Sequence, residues 1–231
     1  MRLALFDVDG TLIDADGVGR RALAKAFAET FNLGETPELA GQVRFSGALD
    51  PVIHREIARL LNISDKQLEA AGEQLRASYL GHLASACRHP GKSRVLPGVR
   101  QLLERLDATK DLWLGLITGN FEAGARIKMA PHHLNHFFPS GGFGEDGPDR
   151  AAVARVAVVR VAAGSGGSVE PAMVTIIGDS ERDVACGRSN GYRTLAVASG
   201  WTSREVLAAA EPDHLVADLL GTDSLLEILT N

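Results

Sequence analysis

The stretch LALFDVDGTL, residues 3–12, joins a short apolar run to a polar turn that holds two aspartates. The run Leu3–Phe6 is continuous rather than alternating, which is typical of a strand buried on both faces of a parallel sheet. Four further apolar runs follow along the chain: Leu112–Ile117, Met173–Ile177, Thr194–Ala198 and His214–Val216. Helical patterns lie between most of these runs, so the sequence predicts an α/β fold in which a doubly wound parallel sheet forms a Rossmann-like core.

A long segment separates the first two predicted strands. About 100 residues lie between Phe6 and Leu112, whereas a single crossover needs only a dozen or more. Apolar spacing within this segment predicts three helices, Arg20–Phe31, Pro51–Leu61 and Ser64–Ala86. Ser64 followed by Gln67 predicts a capping box at the start of the third helix. We therefore expect an all-helical cap domain over residues 16–92, inserted into an α/β core made of residues 1–15 and 93–231.

Two local features predict structure and carry no chemistry. Gly164-Ser165-Gly166-Gly167-Ser168 is expected to be a flexible connector before the third strand. It lacks the Lys-Ser or Lys-Thr pair that would make it a phosphate-binding loop. Trp113 lies inside a strand pattern, so we expect its side chain in the hydrophobic core.

Composition excludes several classes of protein. The 24 basic and 29 acidic residues give a formal charge of −5, with no basic patch for nucleic acid. No apolar stretch approaches the roughly 20 residues that a membrane span needs. Two cysteines far apart in sequence are typical of a reducing compartment, so we expect a cytoplasmic protein with no nucleic-acid or membrane partner. Monomer and homodimer both stay open.

Polar residues follow three of the predicted strands. They are Asp7-Val8-Asp9-Gly10-Thr11 after the first, Thr118-Gly119-Asn120 after the second, and Gly178–Asp183 after the third. Loops at the carboxyl ends of neighbouring parallel strands meet at one crevice of a doubly wound sheet. Clustered carboxylates repel one another unless a cation neutralises them, and Mg²⁺ prefers oxygen ligands of this kind. The sequence therefore predicts a magnesium site at this edge.

The spacing of Asp7 and Asp9 suggests two different tasks. One carboxylate can attack a reacting centre while the other gives and takes a proton. Gly10 relieves the backbone where the chain turns away from the sheet. The alternative is a polar turn that merely ends a strand.

These segments resemble a known family. DVDGTL at residues 7–12, LITGN at 116–120 and IGDSERDV at 177–184 are similar to the first, second and fourth motifs of the haloacid dehalogenase-like hydrolase superfamily. The resemblance covers essentially the whole chain and is closest to the phosphoglycolate phosphatase-like and β-phosphoglucomutase-like members with a helical cap. It implies a Mg²⁺-dependent phosphatase that hydrolyses a small phosphorylated metabolite through an aspartyl-phosphate intermediate.

The resemblance also implies a role for each matching residue. Asp7 would be the nucleophile, and Asp9 would be the general acid and base. Asp7, the backbone carbonyl of Asp9, and Asp179 would hold Mg²⁺. The phosphoryl oxygens would be held by Thr118 with the backbone donors of Gly119 and Asn120, since a helix N-terminus offers unpaired N–H groups to an anion. Asp183 would be a metal-shell or structural carboxylate, unless it serves only as an acid near a helix N-terminus.

The chain departs from the family pattern in its third motif, which normally supplies a lysine. Arg150, before the helix predicted at Ala151–Ala162, matches that position best, and we expect it in the catalytic set. Lys128, on the helix expected after the second motif, is the competing cation nearby in sequence. Arg and Lys differ in geometry, so the replacement matters.

The loop between the first two cap helices departs as well. Relatives often carry a Gly-Arg-Thr-Asp pattern there, whereas this chain has Ala48 and Leu49 in place of the polar pair. A substrate contact is therefore missing, which puts phosphoglycolate in doubt as the substrate. Arg44, earlier in the loop, is a candidate to bind the substrate instead, unless it is simply a solvated loop residue.

Two other functions remain compatible with the sequence. Asp9 favours phosphate ester chemistry over dehalogenation, but a β-phosphoglucomutase-like phosphotransferase would keep the same acid. The missing lysine and the altered loop would also suit a non-catalytic protein of the same fold that binds a phosphorylated ligand.

Overall fold

The computed structural model describes residues 1–39, 41–88, 91–164 and 167–230. Strands and helices alternate as expected for an α/β chain. The strands are β1 (Arg2–Phe6), β2 (Ile13–Asp14), β3 (Arg94–Val95), β4 (Leu112–Ile117), β5 (Gly141–Gly142), β6 (Val174–Gly178), β7 (Arg193–Val197) and β8 (His214–Val216). The α-helices are α1 (Val18–Thr30), α2 (Asp50–Leu60), α3 (Asp65–Ala70), α4 (Gly72–Cys87), α5 (Val99–Asp107), α6 (Glu122–Met129), α7 (Arg150–Gly164), α8 (Glu181–Asn190), α9 (Arg204–Ala209) and α10 (Thr222–Thr230).

The central sheet confirms the predicted fold class. Six strands lie in the order β5-β4-β1-β6-β7-β8 and every neighbouring pair is parallel. β1 lies in the middle of the sheet, β4 and β5 follow on one side of it, and β6, β7 and β8 follow on the other side. This reversal places a crevice at the carboxyl ends of β1, β4 and β6, which is where doubly wound sheets bind their ligands.

The five predicted strands match β1, β4, β6, β7 and β8 to within one residue at each end, whereas the two-residue strands β2, β3 and β5 were not among them. The edge strand β5 was missed, because its two residues are glycines with no strand propensity of their own. A Cβ at Gly141 would lie 2.7 Å from Leu116, so the close approach to β4 requires glycine. The prediction for Trp113 was wrong: its side chain is 41% exposed. The second position of a strand that is otherwise buried can still face solvent.

Helices α1 to α4 form a helical insertion between β2 and β3. The two short strands pair antiparallel, with Ile13 opposite Val95, and so bring the chain out of the core and back again at one place. The helix predicted over Ser64–Ala86 is divided at Ala71 into α3 and α4. The capping box of Ser64 and Gln67 is confirmed.

Apolar packing ties the insertion to the core. One buried cluster contains Phe6 and Phe138 near the sheet together with Phe27 and Ile57 of the insertion. The domain boundaries predicted from sequence, 16–92 for the cap and 1–15 with 93–231 for the core, remain a proposal. Two residues of the predicted connector, Ser165 and Gly166, lie outside the described residues. Among the described helices, none combines the length and apolarity that a membrane crossing requires.

Candidate active site

Three strand-end loops meet at the carboxyl edge of the sheet, as the sequence predicted. Asp7 follows β1, Thr118 follows β4 and Asp179 follows β6, and all three side chains are buried. Asp7 and Thr118 line the floor of a cavity of about 640 Å³, Asp179 lies beside Asp7, and residues of the helical insertion line the other side. The core and the insertion therefore form opposite walls of one chamber.

Three carboxylates in this floor lie close together. Asp7, Asp179 and Asp183 each offer an oxygen within 4.8 Å of the others. Burial raises the pKa of Asp7 to about 6, although Arg150 opposes the shift. Burial, followed by the charges of Asp7 and Asp183, raises the pKa of Asp179 well above its usual value. Asp179 Oδ2 is buried and has no hydrogen-bond partner among the described residues. An oxygen-rich, negatively charged group with an unpaired buried oxygen fits a magnesium ion.

Two glycines lie so close to the Asp179 carboxylate that neither position has room for a side chain. A Cβ built on Gly200 would lie 1.7 Å from Asp179 Oδ2, and one on Gly10 would lie 2.4 Å from the same atom. Gly10 also has φ +85°, a left-handed conformation that favours glycine. Ser199 Oγ donates to the carbonyl of Gly10 at 2.8 Å and holds that turn. The loops therefore fix the position of Asp179 by backbone contact.

Arg150 lies between the nucleophile candidate and Asp183. Its Nη2 is 3.0 Å from Asp7 Oδ2, and its Nε donates to Asp183 Oδ1 at 2.8 Å. The other oxygen of Asp183 accepts from Ser180 Oγ at 2.6 Å and from the Ser180 N–H at 3.1 Å. Asp183 thus orients Arg150 and caps α8, whereas Asp179 Oδ2 accepts no hydrogen bond from the part of the chain that the structure describes.

A second buried cation, Lys128, contacts Asp9. Its Nζ donates to Asp9 Oδ2 and to Asn120 Oδ1, each at 2.7 Å. Asn120 Nδ2 in turn donates to Asp9 Oδ2 at 2.8 Å and to Thr118 Oγ1 at 2.7 Å. Burial lowers the pKa of Lys128, but Asp9 and Asp50 more than offset this and raise it above its ordinary value. Lys128 therefore stays charged.

The loop after β4 differs from the prediction in one respect. α6 begins at Glu122, after the loop, and its first amides are occupied. The N–H of Phe121 donates to Asp50 Oδ2 at 2.9 Å, and that of Glu122 donates to Glu145 at 3.2 Å. The predicted donors, the N–H groups of Gly119 and Asn120, therefore lie in the loop before α6, while two carboxylates take the amides at the start of the helix.

Donors for a phosphoryl group come from the loop itself. The backbone N–H of Gly119 bonds to no described residue, while that of Asn120 donates to Thr118 Oγ1 at 3.3 Å. A Cβ on Gly119 would lie 1.9 Å from the carbonyl oxygen of Ala48. The insertion therefore touches this loop directly, and only glycine allows that approach.

The insertion's wall of the chamber is less tightly paired. Arg20, Arg21 and Arg44 line the cavity and are exposed. Arg44, predicted to bind substrate, forms an ion pair with Glu181 at the start of α8. Ala48 and Leu49 are buried, and Leu49 packs with the apolar side chains around β1 and β6. These two positions thus dock the loop onto the core.

Comparison with known proteins now assigns the family. A sequence profile described as haloacid dehalogenase-like hydrolase matches residues 1–191, which include the loops after β1, β4 and β6. The chain belongs to this family. Two curated relatives are called phosphoglycolate phosphatase. That of Synechococcus elongatus is 29% identical over 223 residues, covering 95% of this chain and 96% of the relative. That of Mesorhizobium japonicum is 30% identical over 209 residues, covering 88% and 86%.

A solved structure of similar fold supports the architecture. The CbbY protein of Rhodobacter sphaeroides, determined in complex with phosphate, superposes with a TM-score of 0.72 at 18% identity and covers 96% of each chain. The family and its curated relatives identify this haloacid dehalogenase-like hydrolase as an enzyme of the phosphatase type.

The structure brings the predicted site residues together. Asp7, Asp9, Thr118, Gly119, Asn120, Arg150 and Asp179 all lie at the cavity or in its floor. Asp50 was missed as a site residue, and Lys128 was considered only as the cation competing with Arg150 for the third-motif position. For Lys128 a signal existed: it lies three residues after Ala125 on the buried face of α6, an unusual place for a lysine.

Proposed function

We propose that this enzyme hydrolyses a small-molecule phosphate monoester in two steps, with Mg²⁺ bound and Asp7 as the nucleophile. The observation that carries the proposal is the environment of Asp7. Its buried carboxylate contacts Arg150 at 3.0 Å and lies beside Asp179, whose Oδ2 is unpartnered. Such a site offers a nucleophile, a cation for the phosphoryl oxygens and an oxygen set for a metal.

The residues that would hold Mg²⁺ are Asp7, Asp179 and the backbone carbonyl of Asp9. The unpaired Asp179 Oδ2 and the raised pKa of Asp179 both support this choice, since a divalent cation would neutralise the clustered charge. When bound, the ion would supply the positive charge that lets an anionic carboxylate approach an anionic phosphate.

In the first step an Asp7 oxygen attacks phosphorus and forms an aspartyl-phosphate. The bond between phosphorus and the ester oxygen breaks, and Asp9 donates a proton to that leaving oxygen. Arg150, Thr118 and the N–H of Gly119 are placed to stabilise the transferring oxygens. The alcohol then leaves the chamber.

In the second step water attacks phosphorus of the aspartyl-phosphate. Asp9, now ionised, accepts a proton from that water, and the bond from phosphorus to the Asp7 oxygen breaks. Inorganic phosphate forms and Asp7 returns as a carboxylate. One acid therefore serves both steps in opposite directions.

The substrate is proposed only by class, as a small phosphorylated metabolite. The curated relatives named above are called phosphoglycolate phosphatase, whereas the cavity of about 640 Å³ leaves room for a larger leaving group. We further propose that the helical insertion acts as a cap that excludes water. A cytoplasmic setting, in keeping with the two free cysteines, and a monomer or homodimer remain our predictions.

Release of phosphate from p-nitrophenyl phosphate, with and without Mg²⁺, tests the proposal. We expect Mg²⁺-dependent release by the wild-type enzyme and none by Asp7→Asn. Asp14→Asn is a matched control, because Asp14 also lines the cavity but pairs with Arg94 away from the carboxylate trio. Equal release by wild type and Asp7→Asn would contradict the proposal. A well-folded wild type with no turnover would favour the mutase or the non-catalytic alternative.

A further inference from the structure

Lys128 is a buried cation that the family motifs do not account for. Its side chain comes from α6, which follows the second motif, and is 7% exposed. We propose that Lys128 is a positioning residue that orients the acid–base Asp9 and the Asn120 amide for proton transfer. This inference rests on the function proposed above and adds a residue to it.

The hydrogen bonds fix how Asp9 faces the cavity. Asp9 Oδ2 accepts from Lys128 Nζ at 2.7 Å and from Asn120 Nδ2 at 2.8 Å. Asp9 Oδ1 bonds to none of the described residues and is the oxygen left to meet the leaving group. Two donors on one oxygen therefore select which oxygen handles the proton.

Lys128 also fixes the orientation of Asn120. An ammonium group can only donate, so the amide oxygen of Asn120 must be the atom that faces Nζ, at 2.7 Å. The amide nitrogen then points to Asp9 and to Thr118 Oγ1. Without Lys128 this amide could turn over, and Thr118 and Asp9 would lose their shared donor.

The two buried cations serve different carboxylates. Arg150, from α7, contacts Asp7 and Asp183, whereas Lys128 contacts Asp9. The nucleophile and the acid–base group therefore each have their own cation, supplied by a different helix. The usual third-motif position is filled by Arg150, so Lys128 is an addition and not its substitute.

The insertion encloses the ammonium group. A Cβ on Gly19 of α1 would lie 3.2 Å from Lys128 Nζ and 3.6 Å from the Tyr79 hydroxyl. The amine is thus held between the core and the insertion, close to both. Packing of the insertion therefore contributes to the burial of this cation.

A purely structural ion pair would look similar, so the test must separate the two. The leaving group does so, because p-nitrophenolate leaves without a proton while an alkoxide needs one. We compare kcat/KM of Lys128→Met for p-nitrophenyl phosphate and for glycerol phosphate, since kcat/KM reports only the first step. We expect a loss of about 100-fold with the alkyl ester and of about tenfold or less with the aryl ester.

A double-substitution cycle gives the second readout. In the Asp9→Asn background, Lys128→Met should lower kcat/KM for either ester by less than about twofold, because the group that it positions is gone. Lys66→Met, on the exposed face of α3, is the control and should match wild type with both esters. Equal losses for both esters, or full additivity with Asp9→Asn, would overturn the inference.

A second variant keeps the test possible if Lys128→Met does not fold. If Lys128→Met does not fold, Asn120→Ala breaks the same network without removing a buried charge. It should show the same preference for the aryl ester, and an equal loss with both esters would again overturn the inference. No turnover of either ester by the wild-type enzyme would instead refute the proposed function and this inference with it.

Discussion

The two walls of the chamber hold their charges in opposite ways. On the core wall, Asp7 and Asp9 are each paired with a cation, Arg150 and Lys128, and both cations are buried. On the wall formed by the helical insertion, Arg20, Arg21 and Arg44 are exposed. His54, a buried base of the insertion, has no hydrogen-bond partner at Nε2 among the residues described and packs among aromatic rings.

We infer from this contrast that the core wall carries out the reaction, whereas the insertion wall selects the substrate. Buried, matched charges cannot move far without losing their compensation, so they keep the reacting groups in place. Exposed arginines are held weakly and can adapt to different ligands. We therefore expect substitutions in the core wall to lower kcat and those in the insertion wall to change KM.

The largest effect is expected from Arg150→Met, which removes the cation from Asp7 and Asp183. We predict that kcat falls by about 1,000-fold, because the phosphoryl oxygens lose a preorganised donor. The free energy of unfolding should fall by about 3–5 kcal/mol, since a buried carboxylate pair is left uncompensated. Kinetics with p-nitrophenyl phosphate and urea denaturation measure the two. Arg155→Met, on the exposed face of the same helix, is the control and should change neither quantity. Near-normal turnover by Arg150→Met would contradict the role of the core wall in catalysis.

The next effect concerns His54 and acid stability. Burial, with Arg76 nearby, lowers the pKa of His54 from 6.5 to about 4. Between these pH values His54 is protonated in the unfolded chain but neutral in the folded chain. The free energy of unfolding therefore falls as pH drops from 6.5 towards 4. Between pH 7 and pH 4.5 this one group should cost about 2 kcal/mol.

Urea denaturation of wild type and His54→Leu at the two pH values isolates this contribution. Asp7 and Asp50 titrate with raised pKa values in the same range and have the opposite effect, but they are present in both proteins. The free energy of unfolding of wild type minus that of His54→Leu should therefore be lower by about 2 kcal/mol at pH 4.5 than at pH 7. A gap that stays constant would show that the insertion does not keep this group neutral.

Gly200→Ala should weaken metal binding by about tenfold. The new Cβ would lie 1.7 Å from Asp179 Oδ2, so the carboxylate must shift by more than a metal ligand tolerates. The Mg²⁺ concentration for half-maximal activity, from titrations with p-nitrophenyl phosphate, measures the change. Gly81→Ala is the control, because a Cβ there meets nothing within 4 Å. The same Mg²⁺ dependence in both variants would remove Asp179 from the metal site.

The smallest effect is expected at the insertion wall. Arg20 lines the cavity and forms no ion pair with any described residue, whereas Arg21 pairs with Asp16. Arg20→Ala should raise KM for p-nitrophenyl phosphate by about fivefold, or about 1 kcal/mol, and leave kcat unchanged. Arg21→Ala should change KM by less than about twofold. A fall in kcat in either variant would contradict the expectation that substitutions in the insertion wall change KM alone.

Sequence was most informative where candidate catalytic residues come directly after a strand. Asp7, Thr118 and Asp179 could be placed together because parallel strands end at the same edge. The contact of Lys128 with Asp9 could not be predicted, since 119 residues separate the two and only the packing of α6 brings them together. Burial of Asp50 against the Phe121 amide was likewise out of reach, because it depends on how the insertion docks.

The fold itself was predicted where apolar periodicity was strong. The five longer runs became strands of one sheet, but the two-glycine strand β5 carries no apolar signal. The helix predicted over Ser64–Ala86 contains Ala71 and Gly72, where the chain turns between α3 and α4. Such a break depends on docking against α1 and has no strong local marker.

Asp7 as the nucleophile is tested most directly by trapping its phosphorylated form. Asp9→Asn should still accept a phosphoryl group from p-nitrophenyl phosphate, whose leaving group needs no proton, but should hydrolyse the intermediate slowly. After acid quenching in the presence of Mg²⁺, peptide mass spectrometry should find one phosphoryl group on Asp7, and none when Asp7→Asn is added. Phosphate release by Asp9→Asn without any adduct, or an adduct on another residue, would contradict the proposed mechanism.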